Sequence, residues 1–169
     1  MRTALLICTV LIAGFGCGCS KSEHTTTPAA KAVHKHEHHP PHGGTVVELG
    51  EEEYHVEFVL DAPNGKLQAF LLDGELENFV RSSMTSFEVT ANVAGKENKL
   101  VFAPVANRAT GETVGDTALF EAQTDWLRTA PTFDADIKEL TVGGGKYHDV
   151  VFNFPKGNDA NEKEDKEKP

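Results

Sequence analysis

The sequence predicts an all-β protein: an immunoglobulin-like β-sandwich of 7–8 short strands, with a disordered His-rich N-terminal linker and a charged C-terminal tail. Three observations predict this fold class. Apolar and polar residues alternate, turn residues separate the alternating runs, and the alternation is confined to residues 45–155, the size of one domain. A partly open β-barrel is the alternative, because it requires the same alternation.

The N-terminal residues 1–16 have the pattern of a secretory signal peptide. Arg2 supplies the positive charge, and the apolar run 4–15 is shorter than the roughly 18 residues that a membrane-spanning helix needs. Gly16 directly before Cys17 resembles a bacterial lipobox, in which the cysteine is lipidated and becomes the first mature residue. We therefore predict a lipid anchor at Cys17, with Cys19 as the alternative. A signal peptide that is simply cleaved nearby is the competing interpretation.

Two polar segments flank the predicted domain. Residues 17–44 contain three prolines and most of the histidines, and residues 156–169 mix lysines with acidic residues, so both are expected to be disordered and solvated. The three cysteines are at positions 8, 17 and 19, which leaves the domain without a disulfide or a thiolate metal site. The net charge of −10 argues against a nucleic-acid partner.

The strands are predicted wherever the period of two is present. The clearest runs are 54–60, 86–93, 133–138 and 148–154, and shorter candidates are 45–49, 66–72, 99–103 and 118–122. Turn signals separate them, at Pro63-Asn64-Gly65, Ala94-Gly95-Lys96, Thr110-Gly111 and Gly143-Gly144-Gly145. One short helix is predicted after Asp125, with that residue as its N-cap.

The strongest chemical signal is a cluster of histidines that precedes the predicted domain. Five of the eight histidines lie within nine residues, at His34, His36, His38, His39 and His42. Imidazole is a ligand that suits Zn²⁺, Cu²⁺ and Ni²⁺, and alternate residues of an extended chain project to one side. This segment therefore predicts a labile transition-metal site without an organic cofactor. The competing interpretation is a solvated spacer or a pH-responsive linker.

Three further residues of the domain are weaker metal candidates. If Tyr54 and Val56 face the core, then His55 and Glu57 share the polar face, where we expect them to be solvated. His148 has the same parity as Val150, so it is predicted on an apolar face as a rim residue. Motifs of hydrolases, phosphate-binding loops and zinc proteases are missing, and we predict that the protein is not an enzyme.

One stretch resembles a known group of proteins. The segment 38–57, with Pro41-His42-Gly43-Gly44, a Glu-rich turn and Tyr54-His55, is similar to small uncharacterised bacterial lipoproteins, and Gly145-Lys146-Tyr147-His148 matches their Gly-Lys-x-Tyr strand. The His-rich segment is more weakly similar to the N-terminal stretches of heavy-metal efflux periplasmic adaptor proteins. These resemblances imply metal handling at the envelope by the five clustered histidines.

Taken together, these features predict an exported lipoprotein of the bacterial cell envelope, periplasmic or on the surface, that binds transition-metal ions. Its expected partners are the metal ion, a membrane reached through the lipid anchor, and a metal-efflux system or another envelope protein. The alternative is a non-enzymatic β-sandwich interaction module with the histidines as a spacer.

Overall fold

A computed structural model describes residues 39–158, which form eight antiparallel β-strands and two short 3-10 helices. The strands are β1 (Thr45–Leu49), β2 (Tyr54–Asp61), β3 (Lys66–Asp73), β4 (Phe87–Val93), β5 (Lys96–Pro104), β6 (Leu119–Gln123), β7 (Phe133–Val142) and β8 (Gly145–Phe154). Each strand candidate of the sequence is present, and residues 39–158 contain no α-helix. The predicted all-β fold class is therefore confirmed.

The strands form one hydrogen-bonded sheet in the order β1-β2-β3-β6-β5-β4-β7-β8. We call β1-β2-β3-β6 the first half of the sheet and β5-β4-β7-β8 the second half. Two residue pairs of β5 and β6 join the halves, Ala103 with Glu121 and Pro104 with Phe120. At the other side the side-chain amide of Asn158 bonds the main chain of Glu48, at 2.8 and 3.1 Å. The halves thus face each other as in a sandwich, with the continuous sheet of a partly open barrel.

Aromatic rings from both halves fill the space between them. Phe58 of β2 stacks on Phe152 of β8 with ring centroids 4.9 Å apart, and it meets Phe102 of β5 edge-on at 5.6 Å. Phe102 in turn stacks on Phe87 at 4.6 Å. Burial of one such side chain stabilises the fold by about 1.5–3 kcal/mol. The alternating apolar residues therefore supply one common core.

Two tight hairpins connect neighbouring strands of the second half. Ala94 and Gly95 between β4 and β5 have φ angles of 51° and 80°, and Gly143 and Gly144 between β7 and β8 have 59° and 88°. Two consecutive positive φ angles match the right-handed twist of the flanking strands, and glycine tolerates them best. The hairpin turns predicted at these positions are confirmed.

A paired irregularity in β7 and β8 changes which side chains face the core. Lys138 of β7 and Asp149 of β8 are both skipped in the pairing, and Asp149 has a φ of 50°. Beyond this point the parity is inverted, so Tyr147 pairs with buried Leu140 whereas His148 is exposed. The prediction that His148 shares the face of Val150 was wrong, because a skipped residue reverses the alternation.

The short helix predicted near Trp126 is present as the 3-10 helix Asp125–Arg128. Its N-cap is Thr124 rather than Asp125, because Asp125 is already the first residue of the helix. A second 3-10 helix, Ala62–Asn64, links β2 to β3. Neither helix of the described part is long and apolar enough to span a membrane. The predicted signal peptide, lipidation sites and most of the linker and tail lie outside residues 39–158.

Candidate functional site

The predicted site residues fall in different parts of the chain. His34, His36 and His38 lie outside the described residues, as do Cys17 and Cys19. His39 is exposed at the start of the described part. His148 is exposed on β8, with its Nδ1 3.6 Å from the Oε2 of Glu139. The remaining candidates, His42, His55 and Glu57, lie together on the outer face of the first half of the sheet.

His55 and Glu57 are completely buried, with no exposed fraction. The expectation that they are solvated was wrong, because two segments cover the outer face of β2. Residues 42–44 contact Glu57, and the loop after β3 turns back, where Val80 donates its amide to the carbonyl of Leu71 at 2.9 Å. Strand β2 is therefore buried on both faces.

Glu57 accepts three hydrogen bonds from the segment that covers it. Its Oε1 accepts from the main-chain amides of His42 and Gly44, each at 2.8 Å. Its Oε2 lies 2.8 Å from the Nδ1 of His42. A buried carboxylate needs such compensation, because removing a charge from water costs several kcal/mol. The carboxylate of Glu57 thus fixes both the backbone and the imidazole of the segment.

The imidazole of His42 is held in one orientation. It stacks on Phe70 of β3 with ring centroids 3.9 Å apart and planes 18° apart, and Phe79 lies 5.7 Å away. Because a carboxylate only accepts hydrogen bonds, the Nδ1 of His42 carries the hydrogen in its contact with Glu57. The Nε2 is then the ring nitrogen that presents a lone pair in the neutral form.

The local sequence around His42 explains why the segment takes this path. Pro41 occupies the second position of a turn in which the Gly43 amide donates to the Pro40 carbonyl at 3.1 Å. Gly44 lies so close to β2 that a Cβ atom would be 2.5 Å from the carbonyl oxygen of Phe58. The Pro-Pro-His-Gly-Gly run therefore supplies a turn, a ring and a close backbone approach in that order.

His55 is buried on the same outer face of β2, two residues before Glu57. Its Nδ1 lies 3.1 Å from the carbonyl oxygen of Asp73, and Glu48 is its partner in the register of β1 and β2. The carboxylate of Asp73 accepts from the amides of Glu77 and Asn78, at 2.9 and 3.2 Å. Burial raises the pKa of Asp73, but the hydrogen bonds from Asn78 and the backbone outweigh it and the pKa is lowered. The carboxylate of Asp73 thus holds the loop that follows β3.

Among the described residues, no group of three or more His, Cys, Asp or Glu side chains is arranged to hold a metal ion. His42 and Glu57 form a pair rather than a complete site. Zn²⁺ or Cu²⁺ needs three or four protein ligands. The described residues therefore do not complete a metal site at His42.

Comparison with known proteins does not assign the chain to a family. No protein-family model matches it, and neither a curated protein nor a solved structure does. Its function is therefore inferred from its own residues and their geometry.

Sequence reasoning placed His42 among the linker histidines and Glu57 among surface residues, and it missed their contact. It also missed Phe70, which reads as an ordinary strand residue. One signal was available: the Pro-Pro-His-Gly-Gly run places a turn-forming proline and two glycines on either side of a ring, directly before the first strand. That run indicates a segment that packs against the domain.

Proposed function

We propose that this protein is a cell-envelope lipoprotein that binds a transition-metal ion through its His-rich segment, with His42 as the ligand that the fold positions. The observation that carries the proposal is the 2.8 Å contact between the Nδ1 of His42 and the buried carboxylate of Glu57. Metal-binding histidines commonly donate their second ring N–H to a carboxylate, which raises the basicity of the coordinating nitrogen.

The contacts of His42 favour binding for a second reason. A ligand on a flexible chain loses conformational entropy when it coordinates, whereas the ring of His42 is already fixed by Phe70 and Glu57. Its side chain is 36% exposed, so an ion can reach it from solvent. His42 thus serves as the fixed point from which the rest of the site assembles.

The other ligands in this proposal are His34, His36, His38 and His39. Alternate residues of any extended chain project to one side, and an extended conformation would let two or three of these histidines reach an ion held at His42. Nitrogen ligands prefer Cu²⁺ over Ni²⁺ and Zn²⁺ in the usual order. The proposed role is to buffer the metal or to deliver it to an efflux system or another envelope protein.

The proposed location in the cell envelope is supported by the N-terminal residues 1–17. Arg2, the apolar run 4–15 and Gly16-Cys17 support export and a lipid anchor. Replacing Cys17 by Ala is expected to release the protein from the membrane fraction. If it does not, the same substitution at Cys19 tests the alternative, and two unaltered variants would exclude lipidation.

A second function is supported by a different observation. Phe79 is 51% exposed and lies beside Phe70 and His42, which gives this face an aromatic surface that a protein partner would cover. In this alternative the protein is a non-enzymatic interaction module, and the histidines before residue 39 are a spacer. The two functions make opposite predictions about metal affinity.

Calorimetry on the full chain, purified without a histidine tag or nickel resin, separates them. We expect Cu²⁺, Ni²⁺ and Zn²⁺ to bind, with copper tightest, and affinity to fall in acid, because an imidazole has to be neutral to coordinate a metal ion. Replacing all five histidines by Ala should abolish binding. Replacing Glu57 by Gln should weaken it about 10-fold or more, since it removes the acceptor behind His42.

The matched control is His148→Ala, which removes an exposed histidine of the domain and should leave affinity unchanged. If the five-histidine variant binds as tightly as the natural chain, the site lies in the domain and the proposal is wrong. If the natural chain itself does not bind above background, the interaction module is the better interpretation.

A further inference from the structure

A second candidate site lies where the turn between β1 and β2 meets the hairpin between β7 and β8. An open pocket of about 430 Å³ is lined there by Glu53, Tyr54, Gly143, Gly145 and Tyr147. Its volume is within the usual range for small-ligand sites. These residues belong to two sequence motifs, Gly-Glu-Glu-Glu-Tyr and Gly-Gly-Gly-Lys-Tyr, that are about ninety positions apart. The metal proposal uses neither motif.

Two aromatic rings and one carboxylate form the walls of this pocket. The ring centroids of Tyr54 and Tyr147 are 6.4 Å apart, with planes inclined at 67°. The hydroxyl of Tyr147 donates to the Oε2 of Glu53 at 2.7 Å. A carboxylate can accept several hydrogen bonds, so Glu53 keeps accepting capacity beside the rings. Inclined aromatic walls next to a negative charge are the arrangement that binds quaternary ammonium groups.

Glycines create the space for the two rings. A Cβ atom on Gly143 would overlap the hydroxyl of Tyr54, and one on Gly145 would be 2.8 Å from the hydroxyl of Tyr147. A Cβ atom on Gly50 would be 3.1 Å from the Cε1 of Tyr147. Larger residues at these three positions would displace the rings, so the shape of the pocket depends on the glycines.

The charges around the pocket favour a cation. Glu51, Glu52 and Glu53 follow one another in the turn and are exposed. The one lysine of the opposite hairpin, Lys146, is engaged by Glu139 at 3.4 Å. Burial and the Glu53 carboxylate raise the pKa of Tyr147 to about 12, so its phenol remains a neutral donor. The ligand therefore meets two aromatic rings and a net negative turn.

We propose that this pocket binds an organic cation, an alkylammonium group that Tyr54 and Tyr147 contact through their rings and Glu53 neutralises. Cation–π contacts and one partly exposed carboxylate correspond to dissociation constants in the millimolar range for a minimal cation. The ammonium group comes either from a small quaternary amine or from a lysine side chain of a partner protein.

The chain is well suited to a direct test because its only two tyrosines both line the pocket. Full-length protein labelled with 3-fluorotyrosine gives two ¹⁹F resonances, one for each wall. We expect both to shift saturably on addition of tetramethylammonium chloride, at ionic strength held constant with sodium chloride. Neopentyl alcohol, a neutral and soluble molecule of similar branched shape, should leave both resonances unchanged.

Variants then assign the contacts. Tyr54→Leu and Glu53→Gln should each weaken tetramethylammonium binding about 5- to 10-fold, whereas Glu51→Gln, in the same turn but outside the lining, should change it less than about 2-fold. Thermal melts confirm that each variant is folded. If Tyr54→Leu does not fold, the ¹⁹F titration of the natural chain still decides the proposal.

A parallel titration with N-acetyl-lysine amide identifies the source of the ammonium group. Tighter binding of the lysine amide than of tetramethylammonium favours a protein side chain, and tighter binding of tetramethylammonium favours a small quaternary amine. The absence of a saturable shift with every cation, or an equal shift with neopentyl alcohol, would overturn the proposal.

Discussion

Strands β2 and β4 have the same alternating pattern but different environments. In β4 the residues between the buried Phe87, Val89 and Ala91 are exposed or half-buried, as for Glu88. In β2 the corresponding residues His55 and Glu57 are buried. The difference is that the outer face of β4 meets solvent, whereas the outer face of β2 lies beneath residues 42–44 and the loop after β3.

This difference changes what a glutamate does in each strand. Glu88 pairs with Lys99 at 2.6 Å, but both side chains are about half exposed, and such pairs contribute little. Glu57 is buried and accepts three hydrogen bonds. Hydrogen bonds to a buried charge are stronger and cost more to break. A polar residue in an alternating strand therefore has a structural role only where another segment covers it.

The largest effect is expected at Glu57. Its replacement by Ala removes the shared acceptor of His42 and Gly44 and should lower the free energy of unfolding by about 3 kcal/mol. The control Glu88→Ala removes an exposed ion pair and should cost less than about 1 kcal/mol. Urea unfolding of both variants measures the difference. Equal losses would contradict the structural role of Glu57.

A somewhat smaller effect is expected at Gly44. An Ala there places its Cβ 2.5 Å from the carbonyl oxygen of Phe58, so the segment has to shift away from Glu57. We expect a loss of about 2 kcal/mol, comparable to other overpacking substitutions. At Gly95 the space is open, and Ala meets only the positive φ, which costs about 1 kcal/mol. Unfolding midpoints in the reverse order would contradict this account.

His42 should contribute about 1–2 kcal/mol, because Ala removes one donor to Glu57 and the stacking on Phe70 but retains the backbone contacts. His148, exposed in the other half of the sheet, is the matched control, and its replacement by Ala should change stability by less than about 0.5 kcal/mol. Thermal unfolding compares the two. A His42 variant as stable as the His148 variant would mean that the ring contacts do not anchor the segment.

The smallest effect on stability at neutral pH is expected from the partly exposed hydrogen bond between Tyr147 and Glu53, which matters only at alkaline pH. The pKa of Tyr147 is raised to about 12 by burial and by the hydrogen bond to Glu53, above the ordinary value of 10.0. Because the unfolded chain loses this proton first, stability should be unaffected below about pH 10 and fall as the pH rises toward 12. Tyr147→Phe should remove this part of the decline, measured by urea unfolding between those values. A decline that is unchanged in the variant would contradict the assignment to Tyr147.

Much of the fold follows from local chemistry. The period of two located every strand, and Ala94-Gly95 and Gly143-Gly144 located two hairpins, because the alternation and positive φ are properties of neighbouring residues. The paired irregularity at Lys138 and Asp149 was not visible in the same way. Neither residue is a glycine, and the skipped pair exists only in the register between two strands.

In the candidate sites, too, some features follow from local sequence and others depend on distant contacts. The residue types are readable from the sequence: the clustered histidines, the Pro-Pro-His-Gly-Gly run, and the Glu- and Gly-rich turns that each lead to a tyrosine. The contacts of Glu57 with His42 and of Glu53 with Tyr147 appear only when the chain is folded. The reason is physical, since these contacts join residues 15 and 94 positions apart. Whether a polar side chain is solvated or bonded depends on which distant segment packs over it.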